Sequence, residues 1–259
     1  MTERFAGTVA FLGLGEAGAK LATGLAARAV HVRGWDPDPA RSAEGAERAS
    51  SAAECVAAAD VVLSVNASAV AVAAAEEVRS VLTPAHLYAD LNAASAAVKR
   101  RIAAVVAPTG AGFADVALLG PVPATGIQTP CLVSGPGARR FAEIFAPLGT
   151  PVELLGPDPG EASTRKLVRS VFMKGVAASV VESLEAARAA GCEEWLRGEL
   201  AAVLGEPLVD RLVDGSKRHA RRRVDEMQAA AELERELGVE PNVALAAVAV
   251  LRNLWNSAL

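Results

Sequence analysis

Residues 8–18, Thr-Val-Ala-Phe-Leu-Gly-Leu-Gly-Glu-Ala-Gly, hold the spacing with the most chemistry in it. A short apolar run ends in glycines at 13, 15 and 18, and a helical segment follows. Each glycine meets a separate need of a bound dinucleotide: a tight turn, close backbone approach to a pyrophosphate, and close helix–strand contact. The loop Gly13, Leu14, Gly15, Glu16, Ala17, Gly18 is therefore the candidate cofactor site, with the helix N-terminus offering free N–H groups to phosphates. Asp36 lies 18 residues beyond Gly18, at the end of the next strand-like run. A carboxylate there accepts from both adenosine ribose hydroxyls and repels a 2′-phosphate, which favours NAD over NADP. Arg33 and Arg41 keep NADP open. The bland alternative is a glycine turn that binds nothing.

A second set of residues could move a proton. The chain has five lysines against 21 arginines, and Lys166 stands early in a long apolar helical segment. The pKa of lysine falls with desolvation and neighbouring cations, whereas guanidinium stays charged. At helical spacing Lys166, Ser170 and Lys174 share one face, with Arg169 alongside. On spacing alone Lys166 reads equally well as a lysine snorkelling from an amphipathic helix. Arg169 could fork onto a carboxylate or phosphate. Gly120-Pro121-Val122-Pro123-Ala124-Thr125-Gly126 reads either as a rigid loop wrapping an anionic or carbonyl group, or as a tight connection between strands. His219, among Lys217, Arg218 and Arg221–Arg223, reads as a substrate ligand or as part of a solvated helix face. No His, Cys or carboxylate cluster has metal-ligand spacing, so no metal is expected.

The elements that must position these groups follow from apolar periodicity. Short apolar runs at 8–12, 30–35, 61–65, 87–91, 112–118, 131–134 and 151–155 read as strands. Helical segments between them are expected at 17–29, 67–82 and 96–107. Alternating strands and helices imply an α/β fold, a Rossmann-type doubly wound parallel sheet covered on both faces. After Gly156-Pro157-Asp158-Pro159-Gly160 the pattern becomes helical: 161–190, then 193–203, 206–213, 216–237 and 241–257. The expected domains are residues 1–158, dinucleotide-binding, and 159–259, a smaller all-helical substrate and dimerisation domain.

The composition narrows the function classes. With 52% hydrophobic and 22% charged residues over 259, the chain is a globular protein with a sizeable core. A net charge of −4 and 4% aromatics argue against a nucleic-acid surface. No apolar run reaches the roughly 20 residues a membrane span needs, and no secretory leader is read at the N-terminus. Three scattered cysteines fit a reducing, cytoplasmic compartment.

Five segments follow one another in a recognisable order. They are Val9–Gly18, Val61-Val62-Leu63-Ser64-Val65-Asn66, Tyr88-Ala89-Asp90-Leu91-Asn92, Phe113-Ala114-Asp115-Val116-Ala117-Leu118-Leu119-Gly120 and Gly160-Glu161-Ala162-Ser163-Thr164-Arg165-Lys166. In these the sequence resembles the β-hydroxyacid dehydrogenases, the group that includes 6-phosphogluconate and 3-hydroxyisobutyrate dehydrogenases. The resemblance implies that Val65 and Asn66 run beside the nicotinamide ribose and that Asn92 lies by the nicotinamide or the substrate. It also implies that Gly120 belongs to the substrate segment, and that Lys166 accepts the substrate hydroxyl proton as hydride leaves for the nicotinamide. Ser170 or Arg169 would hold the substrate's polar groups. Arg221-Arg222-Arg223-Val224-Asp225-Glu226-Met227 resembles a 6-phosphogluconate dehydrogenase-like branch with a shorter helical C-terminal domain.

The substrate half departs from the family pattern. Leu119 stands where the family has serine, Pro121 replaces its last glycine, and Arg169 and Ser170 replace its two asparagines. The implied activity is NAD(P)-dependent interconversion of a small, anionic hydroxy acid, or a related alcohol, with its oxo form. The site would lie between the domains, in a homodimer formed near the long helix. The departures leave two alternatives: an NADPH-dependent imine reductase on the same scaffold, and a non-catalytic dinucleotide-binding protein.

Overall fold

The computed structural model describes residues 5–257. It contains two compact units, Met1–Lys166 and Leu167–Leu259. In the first unit, among the described residues, eight strands form one sheet. They are β1 (Thr8–Leu12), β2 (His31–Trp35), β3 (Glu47–Arg48), β4 (Val61–Ser64), β5 (Leu87–Asp90), β6 (Gly112–Leu118), β7 (Cys131–Ser134) and β8 (Val152–Leu154). The order is β3-β2-β1-β4-β5-β6-β7-β8. The strand order reverses between β1 and β4, and the crevice outside the carboxyl ends of such a pair is where open α/β sheets bind ligands.

Period-two alternation sorts the strand residues onto two faces. Val9, Phe11, Val61, Leu63, Leu87 and Ala89 pack with Leu21 and Leu25 of α1 (Glu16–Ala26) and with Phe141 and Phe145. Leu12, Val62, Tyr88 and Phe113 pack on the other side. There they meet Val56 of α2 (Ala52–Ala57), Ala71, Ala75 and Val78 of α3 (Ala71–Val78), and Ile102 and Val106 of α4 (Ala96–Val106). The doubly wound sheet expected from the sequence is thus present, with helices on both faces.

Three details differ from expectation. β7 runs antiparallel to β6, with Leu118 opposite Cys131 and Asp115 opposite Ser134. The connection between them is spent on α5 (Val122–Thr125) and a following 3₁₀ turn, so the chain returns beside the strand end it left. The predicted helix over 67–82 is α3 flanked by 3₁₀ turns at Ser68–Val70 and Arg79–Val81. β3, two exposed charged residues paired with Arg33 and Gly34, has no apolar pattern to announce it. A further helix, α6 (Ala138–Phe145), supplies the two phenylalanines named above.

α7 (Glu161–Ala189) begins in the first unit and continues into the second. In the second unit α8 (Glu193–Leu204), α9 (Glu206–Arg218), α10 (Ala220–Glu236) and α11 (Asn242–Asn256) follow. Val224, Met227 and Ala231 of α10 pack against Ala244, Ala247 and Leu251 of α11, with Leu167 and Ala178 of α7. Val180 and Leu184 of α7 pack against Val209 and Leu212 of α9. The break between α9 and α10 falls at His219, whose φ of −121° and ψ of 23° interrupt the helix, rather than near residue 215 as expected.

Candidate functional site

The glycine loop leaves the carboxyl end of β1. Gly13 has φ +106°, and a Cβ there would lie 2.2 Å from the Val65 carbonyl oxygen. A Cβ on Gly18 would lie 2.0 Å from the Gly13 carbonyl oxygen. Both positions are closed to any side chain by the fold itself. Gly15 differs. Its φ is −65°, and an added Cβ would meet only the mobile tip of Arg41, at 3.3 Å. Packing within the chain gives no strong reason for glycine at 15; a pyrophosphate lying against the backbone does. No side chain caps the N-terminus of α1, so its first-turn N–H groups have no side-chain acceptor to compete with an anion.

Asp36, 4% exposed, sits at the end of β2 and accepts from the Leu14 N–H through Oδ2 at 2.8 Å and from the Asp38 N–H through Oδ1 at 2.9 Å. Each carboxylate oxygen has a second lone pair left for a hydroxyl donor. Arg33 is buried, and its guanidinium donates to Glu47, Glu54 and the Glu54 carbonyl; it is committed to the sheet edge. Arg41 is half-exposed and lies 3.7 Å from Asp36 Oδ2 and 3.4 Å from Asp38 Oδ2.

At the end of β4, Val65 closes on Gly13, and the Asn66 side chain donates to Ser64 Oγ at 3.0 Å. Asn66 Oδ1 is buried with no hydrogen-bond partner among the described residues. A buried acceptor without a donor is costly, and a ligand hydroxyl beside this loop would supply one. The unforced glycine, the uncapped helix start, Asp36 and this orphaned oxygen together fit a dinucleotide.

Asn92 stands just past the end of β5, with its amide hydrogen-bonded within the chain. It is buried, donates to Asp90 Oδ2 at 2.6 Å and Ser64 Oγ at 3.2 Å, and its Oδ1 accepts from the Asn66 N–H at 2.6 Å. Its amide is used to tie the ends of β4 and β5 together. Beneath it lies a residue the sequence reading missed. Lys99 of α4 is fully buried between Asp90 and Asp115. Burial alone would push its ammonium pKa down, but the two carboxylates and their hydrogen bonds outweigh that and raise it. The signal was available: Lys99 shares a helical stripe with the buried Ala96, Ile102 and Val106.

On α7, Lys166 is half-buried, Arg169 is exposed, and Ser170 is buried. Ser170 Oγ donates to Glu226 Oε1 at 2.5 Å, and Lys174 Nζ donates to the same oxygen at 2.9 Å. Ser170 and Arg169 therefore occupy different surroundings, and Ser170 joins Lys174 and Glu226 within the second unit. Glu226 entered the sequence reading only within the segment Arg221–Met227, with no role of its own. His219 is half-buried at the α9–α10 junction, where its carbonyl accepts from the Arg223 N–H at 3.0 Å. A Cβ on Gly120 would meet Thr129 at an ordinary 3.5 Å, so the fold leaves room for a side chain there. Among the described residues no group of three His, Cys, Asp or Glu could hold a metal ion, and no helix is long and apolar enough to cross a membrane.

Comparison with known proteins agrees with this geometry. Residues 8–156 match the model of the NAD binding domain of 6-phosphogluconate dehydrogenase, and residues 187–254 match a domain of unknown function. An uncharacterised 28.5 kDa protein of Methanothermus fervidus is 31% identical over 144 residues, which are 54% of this chain and 55% of that protein. The chain thus spans about half the length of the curated relative it matches. A conserved hypothetical protein from Sinorhizobium meliloti superposes with TM-score 0.75 at 31% identity, covering 97% of this chain and 89% of that one. A 3-hydroxyisobutyrate dehydrogenase from Mycobacterium tuberculosis superposes with TM-score 0.80 at 22% identity, covering 96% and 94%, which shows a shared fold.

Proposed function

Because the chain belongs to the family of the NAD-binding domain of 6-phosphogluconate dehydrogenase, we propose that it is an NAD(P)-dependent oxidoreductase interconverting a small hydroxy acid, or a related alcohol, with its oxo form. The observation that carries the proposal is Gly15, a glycine without a strong steric requirement in the fold, beside the orphaned Asn66 Oδ1. The dinucleotide, when bound, supplies hydride acceptance or donation at its nicotinamide ring. The loop from Gly13 to Gly18 cradles the pyrophosphate, Asp36 accepts from the adenosine ribose, and Val65 and Asn66 face the nicotinamide ribose. Lys166, in its neutral form, takes the substrate hydroxyl proton as the C–H electron pair leaves with its hydrogen and the C=O forms; in reverse it returns that proton to the oxo oxygen. Such general base help is worth about 10²–10⁴ in rate. Arg169, exposed and always charged, suits the carboxylate of an anionic substrate, with Gly120 and His219 as further substrate contacts. Asn92 acts indirectly, by fixing the Asn66 backbone.

NAD is the proposed cofactor. The only arginine of the two candidates not buried in the sheet edge is Arg41, and it is already flanked by Asp36 and Asp38. Titration with NADH and NADPH, read as energy transfer from Trp35 next to Asp36, tests this. Tighter NADH binding is expected. Tighter NADPH binding, with turnover of cyclic imines but not of hydroxy acids, would favour the reductase alternative.

The protein is further proposed to be a homodimer. In the second unit Phe172 is 68% exposed and Val168 52%, beside an open apolar groove of about 810 Å³ lined also by Val176, Val203 and Val243. The groove-lining Gly175, Ser179 and Ser183 are small residues at i, i+4 and i+8 of α7. One helix thus offers both projecting side chains and a smooth stripe, which is what a self-complementary two-fold interface needs. A reducing cytoplasm suits Cys55 and Cys131, free thiols whose burial pushes their pKa up to about 11 and about 12.

A further inference from the structure

We infer that Lys99 is a positioning residue: it holds the first turn of α7, and with it Lys166, in register with the cofactor-side segment at Asn66. The catalytic half of this inference rests on the function proposed above; the structural half does not.

Asp90 and Asp115 are register neighbours on β5 and β6 and are wholly buried. They share one ammonium. Lys99 Nζ donates to Asp90 Oδ1, to the Asp90 carbonyl at 2.9 Å, and lies 3.2 Å from Asp115 Oδ1. Asp115 in turn receives the start of α7. Its Oδ2 accepts from the Gly160 N–H at 3.2 Å and the Ser163 N–H at 3.0 Å, and its Oδ1 accepts from Ser163 Oγ at 2.7 Å. A strand carboxylate thus does the work of an N-cap, satisfying orphan N–H groups at the positive end of a helix. Ser163 is three residues, about one turn, before Lys166.

The second arm runs the other way. Asp90 Oδ2 accepts from Asn92 Nδ2 at 2.6 Å, and Asn92 Oδ1 accepts from the Asn66 N–H at 2.6 Å. One ammonium is therefore the common centre of two hydrogen-bonded arms, one ending at Asn66 and one at Ser163. Steric packing locks the same place: Gly160 has φ +99°, and a Cβ there would lie 2.8 Å from Ala96 Cβ at the start of α4, the helix that carries Lys99.

Removing the ammonium leaves two buried like charges side by side, and one of them takes up a proton. The backbone groups of Gly160 and Ser163 that meet Asp115 are both N–H donors, so a protonated Asp115 holds them less well. The first turn of α7 then loosens. A displacement of even 1 Å at a catalytic group can cost about 10² in rate.

The test uses the full chain with Lys99→Met and Ser163→Ala, the second variant removing only one hydrogen bond of the cap. Amide hydrogen exchange is followed by peptide mass spectrometry, and steady-state kinetics use NAD and whichever hydroxy acid the wild type oxidises. In Lys99→Met, exchange over residues 160–166 and at Asn66 is expected to rise about tenfold or more while the loop 13–18 keeps its protection; kcat is expected to fall about 10–100-fold with the KM for NAD within about threefold. Ser163→Ala is expected to give a smaller effect confined to 160–166, and decides the matter if Lys99→Met does not fold. Unchanged exchange at 160–166, a uniform rise across the unit, or faster exchange with unchanged kcat would overturn the inference. If the wild type oxidises no hydroxy acid, the proposed function falls, while the local exchange pattern still supports or overturns the Lys99 anchor.

Discussion

The backbone N–H of Leu14 donates to Oδ2 of Asp36 at 2.8 Å. This bond ties the glycine loop after β1 to the carboxyl end of β2, so the acid proposed to read the ribose also shapes the loop proposed to hold the pyrophosphate. Asp36→Ala is expected to weaken NADH binding by about tenfold or more, since hydrogen bonds to a charged group contribute about 1.5–3 kcal/mol. NADPH should lose less, because a repelling charge is removed at the same time. Fluorescence titration of both cofactors checks this; equal losses would detach Asp36 from cofactor choice.

The glycines at 15 and 18 should separate folding from binding. Gly18→Ala forces a Cβ to 2.0 Å from a backbone oxygen and is expected to cost at least the roughly 1–3 kcal/mol typical of overpacking. Gly15→Ala meets only a flexible arginine tip and should leave stability within about 0.5 kcal/mol while weakening NADH binding. Denaturant melts and cofactor titrations on both variants read this contrast. Loss of stability in Gly15→Ala comparable to Gly18→Ala would return that glycine to a structural role.

Lys99 gives a pH dependence with a definite sign. Its folded-state pKa is raised above the ordinary lysine value of 10.5, so its contribution is fully present below that value and is lost as pH rises through the folded-state one. Breaking a buried pair by removing one partner costs about 3–5 kcal/mol. The stability gap between the wild type and Lys99→Met should therefore narrow at strongly alkaline pH, where the wild type loses its buried ammonium. A gap that did not narrow at strongly alkaline pH would assign the effect to another group.

If a second copy covers the apolar face of α7, Phe172→Glu should shift sedimentation from dimer to monomer at micromolar concentration. A wild-type monomer under those conditions would remove the dimer from the proposal.

How much was legible in the sequence depended on whether a residue's task leaves a pattern. The runs at 112–118 and 131–134 coincide with β6 and β7, because buried strands must be apolar between breakers. The first glycine loop was legible because strand, turn and helix each constrain it. β3 was not, since Glu47 and Arg48 pair at an exposed edge and bury nothing. The antiparallel turn into β7 was hidden because apolar runs do not encode direction. Asn92 and Ser170 were picked out as polar site residues, and the structure adds hydrogen bonds to Asn66 and Glu226 that the sequence did not show. These long-range partners, 26 and 56 residues away, leave no local trace. Lys99 did leave one, a charge in an apolar stripe, and the scarcity of lysine that singled out Lys166 applied equally to it.

The most direct test of the central proposal is NADH formation by the wild type and by Lys166→Met across a panel of small hydroxy acids, with NADH affinity measured on both. Wild-type turnover that falls about 10²–10⁴-fold in the variant, with cofactor affinity unchanged, is the predicted result. Turnover that survives the substitution, or cofactor binding with no turnover of any acid in the wild type, would contradict it.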